Sequence, residues 1–200
     1  MPLFANQAAF DDPASRQRAL GVDLNPLHAI VDPQGSVLAY AQTGGMLSPQ
    51  RVELEPGAAI YRFGGAGRPA EQIAAGAWWV RQGEFEKLLS FAQTHGVGLG
   101  LAVRLLCLVP PEWSDISLLV RARVQRDLLA WGGLANTAIV STMDGGPPVR
   151  LPERNEIAAR RLRQLFIPGL DGPGMTRRAI QIESDYPLDP NESLRGFLYL

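Results

Sequence analysis

Ala58-Ala59-Ile60-Tyr61-Arg62-Phe63-Gly64-Gly65 is a short apolar strand that delivers one arginine and then stops at two glycines. Further along, Gly76-Ala77-Trp78-Trp79 presents two adjacent indoles. A fixed cation, backbone amides bared by glycine, and aromatic faces together suit a planar ligand that carries phosphate, such as a dinucleotide. Successive side chains of a strand point to opposite faces, so one of Trp78 and Trp79 belongs to the core and the other to a rim or groove. Arg62 has a structural alternative, an ion pair with Glu53 or Glu55 across the Pro56-Gly57 turn. Gly64, Gly65 and Gly67 lack the spacing of a dinucleotide fingerprint, which favours chain reversal at this point.

Upstream, Asp11 or Asp12 before Pro13 offers a cap for one short helix over about Ala14 to Leu20. His28-Ala29-Ile30-Val31 and Ser36-Val37-Leu38-Ala39-Tyr40 flank Asp32-Pro33-Gln34-Gly35, which reads as a hairpin with a type I turn. Arg51 to Leu54 is a strand after the Gly44-Gly45 break. Downstream, Phe85, Leu88, Leu89 and Ala92 share one face of a helix over Glu84 to His95, ended by Gly96. Leu99 to Leu108 lacks amphipathic contrast and reads as a buried helix or a buried strand. Leu118 to Gln125 alternates as a half-buried strand, and Trp131-Gly132-Gly133 is expected to break the chain after it. Further strands are expected at Thr137 to Ser141, Gln164 to Ile167 and Arg178 to Glu183, with a short helix over Glu156 to Arg161. Strands in hairpin succession with few helical crossovers give an α+β class, with a mostly antiparallel or mixed β-sheet and a few packed helices. The expected organisation is an N-terminal polar segment over residues 1–25 and a single α+β domain over 26–200.

Composition narrows the function. Two hundred residues, 46% of them apolar, can form one sizeable core. With 19 basic and 20 acidic residues the chain carries no polyanion-attracting field, and the basic stretch around Arg150, Arg154, Arg160, Arg161 and Arg163 is interleaved with Glu153 and Glu156 and lacks aromatics. One cysteine, Cys107, and two histidines, His28 and His95, leave no set of ligands for structural zinc and no intramolecular disulfide. Cys107 lies in an apolar run and reads as an inert thiol, and His95 as a helix terminator. No segment approaches the roughly 20 apolar residues of a membrane span. Met1-Pro2-Leu3-Phe4-Ala5-Asn6-Gln7 lacks the pattern of a signal peptide, so a cytoplasmic protein is expected, or one exported by a dedicated system.

Pro56-Gly57 followed by Tyr61-Arg62, then Gly76-Ala77-Trp78-Trp79-Val80, then Gln164-Leu165-Phe166-Ile167-Pro168-Gly169 resembles the order of core strands in ADP-ribosyltransferase domains, over about residues 51–170. The resemblance implies an ADP-ribosyltransferase-like fold that uses NAD as substrate. Arg62 would clamp phosphate, Gly64 and Gly65 would line the cleft, and Trp78 or Trp79 would pack on a ring of the ligand. Two positions depart from that pattern. The second strand lacks the family's hydroxyl residues, and Gln164 stands where the family places its catalytic glutamate. Gln164 would then hydrogen-bond a ribose hydroxyl, and Glu153, Glu156 and Glu183 are the acids that could supply the missing charge, with Gln164 and Glu156 as the catalytic candidates. The partners implied are NAD and an unknown macromolecular acceptor, with transferase and NAD glycohydrolase activity both open. The other class of function is a non-enzymatic interaction protein, such as a phage or secretion-system component, anchored by Trp113 and Trp131 at its surface. The two differ in geometry. The enzyme needs Arg62, a tryptophan and Gln164 around one cleft, whereas the interaction protein leaves them scattered.

Overall fold

The computed structural model describes residues 4–25, 29–40, 44–111, 113–140, 149–150 and 162–194. It opens with two short helices, α1 (Gln7–Asp11) and α2 (Pro13–Ala19). The Asp12 carboxylate accepts from the Ala14 amide at 2.9 Å, and Pro13 takes the first helical position, where no N–H is needed. A hairpin of β1 (Ile30–Val31) and β2 (Val37–Ala39) follows; Asp32 closes its turn by accepting from the amides of Gln34, Gly35 and Ser36. Next come β3 (Met46–Leu54), β4 (Ala59–Gly64), α3 (Ala70–Ala74), β5 (Trp78–Arg81), α4 (Gln82–His95) and α5 (Leu99–Cys107). The chain continues through β6 (Leu118–Val124), β7 (Leu128–Ala135), a two-residue pair of β8 (Ile139–Val140) and β9 (Val149–Arg150), and β10 (Arg163–Phe166). It ends in α6 (Met175–Ala179), β11 (Ile180–Pro187) and α7 (Pro190–Leu194).

Seven strands form one antiparallel sheet in the order β11-β6-β4-β5-β10-β7-β3, so the protein is α+β with few helices. Neighbouring residues of a strand fall in different cores, as the period of two requires. Ile60, Trp79 and Val120 pack with Ile73 and Ala74 of α3 and Ala179 of α6. Tyr61, Val80 and Leu119 pack instead with Leu88 and Ala92 of α4 and with Ala102, Val103 and Leu106 of α5. Each fully buried leucine here contributes about 2 kcal/mol by leaving water. The apolar run at Leu99 resolves as a helix. Gly96, at φ +62°, ends α4, and α5 is then buried nearly all round, which explains its lack of a polar face.

Several expectations are corrected. Trp131-Gly132-Gly133 does not break the chain: β7 runs through it. The two glycines are there for close approach, because a Cβ on Gly132 would stand 2.7 Å from Val52 Cγ2 and one on Gly133 would stand 2.6 Å from the Leu47 carbonyl. β3 starts five residues before Arg51, absorbing Pro49 through an irregularity in register at Leu47/Gln50, where Ser48 has φ +43°. Arg178 sits in α6, and the strand begins only at Ile180. The proposed helix over Glu156 to Arg161 lies outside the described residues. Trp131 is not a surface anchor, since it stacks on Phe10 with ring centroids 4.4 Å apart and donates to Ser15 Oγ at 2.8 Å.

The N-terminal segment is stitched to the sheet. Buried Asn6 donates to the carbonyls of Leu129 and Pro168 and accepts from the Leu129 amide, filling most of its hydrogen-bonding capacity. Phe4 and Phe10 are buried beside Leu129. At the far end of α2, the backbones of Gly21 and Gly45 meet so closely that a Cβ on either would lie 2.3 Å from a backbone atom of the facing segment.

Candidate functional site

Where β4 leaves β5, the sheet opens. Only Ile60 and Tyr61 of β4 pair with β5, opposite Arg81 and Val80, while β5 uses Trp78 and Trp79 to pair with Phe166 and Leu165 of β10. Beyond Tyr61, β4 has β6 on one side and, among the described residues, no strand on the other. Arg62 occupies that opening. Its Nη1 donates to the Trp78 carbonyl at 2.5 Å, and its Nη2 lies over Gly76, where a Cβ would stand 1.9 Å away. Gly76 is thus required by the arginine, a cause that the glycine step in the sequence does not reveal.

Arg62 forms no ion pair with any carboxylate among the described residues. Its Nε is buried with no hydrogen-bond partner among the described residues. Neither carboxylate offered as its structural partner holds it: Glu53 pairs with Arg51 at 2.8 Å, and Glu55 is exposed. Burial, reinforced by the like charge of Arg68, lowers the guanidinium to about 10, so it stays protonated at neutral pH. Taking a charge partly out of water without an ion-pair partner costs stability, which a purely structural arginine would avoid by pairing.

This arginine borders a cavity of about 470 Å³, within the roughly 300–1,000 Å³ usual for small-molecule sites. Arg62, Trp78, Trp79 and Gln164 all line it. The two indoles divide as the strand period demands. Trp79 is buried in the core, its Nε1 donating to the Gly76 carbonyl, while Trp78 stands edge-on to Phe166 with centroids 5.1 Å apart. Gln164 donates from Nε2 to the Cys107 carbonyl at 2.7 Å, satisfying one of the open carbonyls at the end of α5. A carbonyl only accepts, so the amide is fixed with Nε2 on Cys107, and Oε1 remains as the acceptor available to a ligand. Val103, Cys107 and Leu108 add an apolar wall. Burial, with the charge of Glu84, pushes the Cys107 thiol up to about 12, so it is packing material and not a nucleophile. Arg104, buried in α5, donates to the carbonyls of Val109 and Ser114 and holds the loop that carries Trp113 to the cavity mouth.

Other expected site residues lie elsewhere. Gly64 packs on Ile73 and Gly65 faces Asp115, and neither is in the cavity wall. Glu183 sits at a register irregularity of β11 and is held by Arg121 at 2.9 Å and by Arg123 at 2.5 Å, away from the cavity. Its hydrogen bond to Arg123 keeps this carboxyl below the usual range. Glu153 and Glu156 lie outside the described residues. Among the described residues no carboxylate lines the cavity.

The sequence reading missed Arg18, Gly21, Gly45, Trp113 as a wall of the cavity, and Asn136. The glycines carried a signal, since two glycine positions far apart in sequence can mark one backbone contact. Arg18 carried none. Among the described residues, no cluster of three or more His, Cys, Asp or Glu is placed to hold a metal, and no helix is long and apolar enough to cross a membrane.

No family model matches the chain, and no curated protein matches it. Among solved structures, the chain is similar to Rhs1-CT in complex with its cognate immunity protein RhsI1, at 14% identity over 71% of this chain and 83% of that chain, with a TM-score of 0.40.

Proposed function

We propose that the cavity binds NAD and that the chain is an ADP-ribosyltransferase-like protein, a transferase or an NAD glycohydrolase. One observation carries the reading: a half-buried arginine, its Nε buried and with no ion-pair partner among the described residues, shares a cavity with an indole and with the free acceptor of Gln164. Arg62 holds phosphate, Trp78 packs on a ring, and Gln164 Oε1 accepts from a ribose hydroxyl. When the glycosidic bond to nicotinamide breaks, its electron pair leaves with nicotinamide and positive charge develops on the ribose. An amide oxygen answers that charge with a dipole only, so efficient turnover calls for a carboxylate, and Glu156 is the candidate for it.

The test is nicotinamide release from NAD by the purified protein, with and without cell lysate as acceptor, beside Arg62→Ala. Release that needs lysate and vanishes in the variant establishes a transferase, and release without lysate a glycohydrolase. Absence of both release and NAD binding sinks the proposal.

Gly76→Ala separates site from scaffold. The three atoms nearest the added methyl group all belong to the flexible end of Arg62, so the expected loss of stability is about 1 kcal/mol. The guanidinium must nevertheless move, and NAD affinity is expected to fall by at least about ten-fold. Calorimetry and urea denaturation on the same preparation check both. Unchanged affinity would remove Arg62 from the site.

Protein recognition is a second reading, favoured by the β1–β2 hairpin, which exposes Ile30, Val31, Val37, Leu38 and Tyr40 at 39% to 65%. The double change Val31→Asp and Leu38→Asp touches neither the sheet nor the cavity. It is expected to leave NAD binding intact, and loss of a bound partner protein in pull-down would establish this role. A pull-down identical to wild type would dismiss it.

A further inference from the structure

Arg62 shares the cavity with a second cation. Arg18, in the last turn of α2, lines the same cavity from the N-terminal segment, solvent-exposed where Arg62 is half-buried. No carboxylate among the described residues forms an ion pair with either arginine. Arg68, beyond the end of β4, is close enough for its charge to bear on Arg62. Arg18 and Arg62 line one cavity in whose wall no carboxylate stands among the described residues, so the cavity favours an anion.

The backbone beneath Arg18 is held from several sides. Ser15 accepts from Trp131 on β7, and the Arg18 carbonyl accepts from the Gly21 amide at 3.0 Å. Gly21 in turn lies against Gly44 and Gly45 with no room for a side chain. An arginine placed on so fixed a support loses little freedom on binding, and its planar fork matches a phosphate.

We propose that Arg18 is the residue that selects for a second phosphate. Arg62 holds one phosphate at the buried end of the cavity and Arg18 the next at its mouth, so the site prefers a diphosphate-bearing ligand to a nucleoside monophosphate. The inference rests on reading the cavity as a nucleotide site. It makes the N-terminal helices a wall of that site, which the composition of residues 1–25 does not announce.

The experiment is calorimetric titration of ADP-ribose and AMP into the wild type, Arg18→Gln and Arg62→Gln. Arg18→Gln is expected to weaken ADP-ribose about ten-fold and AMP less than about two-fold, because only the diphosphate reaches the rim. Arg62→Gln weakens both. If Arg18→Gln leaves the ratio of the two affinities unchanged while Arg62→Gln still weakens both ligands, the selective role of Arg18 is overturned and the cavity reading stands. If neither ligand binds the wild type, both fall together. Arg18 is exposed, so its variant should unfold at the wild-type denaturant midpoint, and a lowered midpoint with an unchanged affinity ratio would make it a structural residue.

Discussion

Arg62→Met is expected to leave the protein at least as stable as the wild type while weakening NAD binding by more than about 100-fold. Methionine is apolar and flexible, ends two bonds short of the terminal guanidinium nitrogens, and places no charge in the opening between β4 and β5. The change removes a donor from the Trp78 carbonyl, which costs about 1 kcal/mol, and removes a half-buried cation with no ion-pair partner among the described residues, which returns at least as much. A group whose removal costs nothing in stability but everything in binding is held there for a ligand. The pH dependence has a definite sign. Burial lowers the folded-state pKa of this base to about 10, so the ligand-free fold bears the cost of the charge below that pH and is relieved of it above. Anion affinity runs the other way, flat from about pH 7 to 9 and falling as Arg62 loses its proton. Urea denaturation and calorimetry on the same variant decide the matter. A stability loss of more than about 2 kcal/mol would make Arg62 a strut for the split sheet.

Gly45→Ala is expected to cost at least about 4 kcal/mol, enough to unfold a protein of ordinary stability. Gly45 has φ +78°, in the left-handed region, where a side chain adds about 1–2 kcal/mol. Its Cβ would lie 2.3 Å from the Gly21 amide nitrogen and 2.4 Å from the Leu20 carbonyl carbon, backbone atoms that cannot swing aside. The facing Gly21, at φ +82°, is constrained in the same way, so Gly21→Ala should match it. Thermal or urea denaturation checks this, and a loss below about 1 kcal/mol would mean that the contact between α2 and β3 is loose. Gly35→Ala in the exposed hairpin is the control: φ is also positive, at +86°, but nothing lies within 4 Å.

What was legible in the sequence was local. The cap at Asp12, the turn at Asp32, the αL glycine after α4 and the alternation in β6 each depend on residues a few positions apart, and each stands as read. The β7 glycines misled because glycine signals either a turn or a close approach, and only the partner strand decides which. Trp131 misled for a related reason, since its cover comes from Phe10 and Ser15, more than a hundred residues away. For the cavity, the residue types at Arg62, Trp78, Trp79 and Gln164 were readable, and the fold brings those four together. Gly64 and Gly65 lie outside the lining of this cavity, Gly64 against Ile73 and Gly65 against Asp115. Arg18 was invisible, because nothing local in a polar helix shows that its last turn ends over a sheet opening formed sixty residues later.

We propose NAD as the ligand of the cavity bordered by Arg62, which has no ion-pair partner among the described residues. The most direct measurement is a calorimetric titration of NAD into the purified wild-type protein at neutral pH and low salt, with ADP-ribose as competitor. Saturable one-to-one binding that ADP-ribose displaces is the predicted result. No binding of NAD up to millimolar concentration by a folded protein would contradict it.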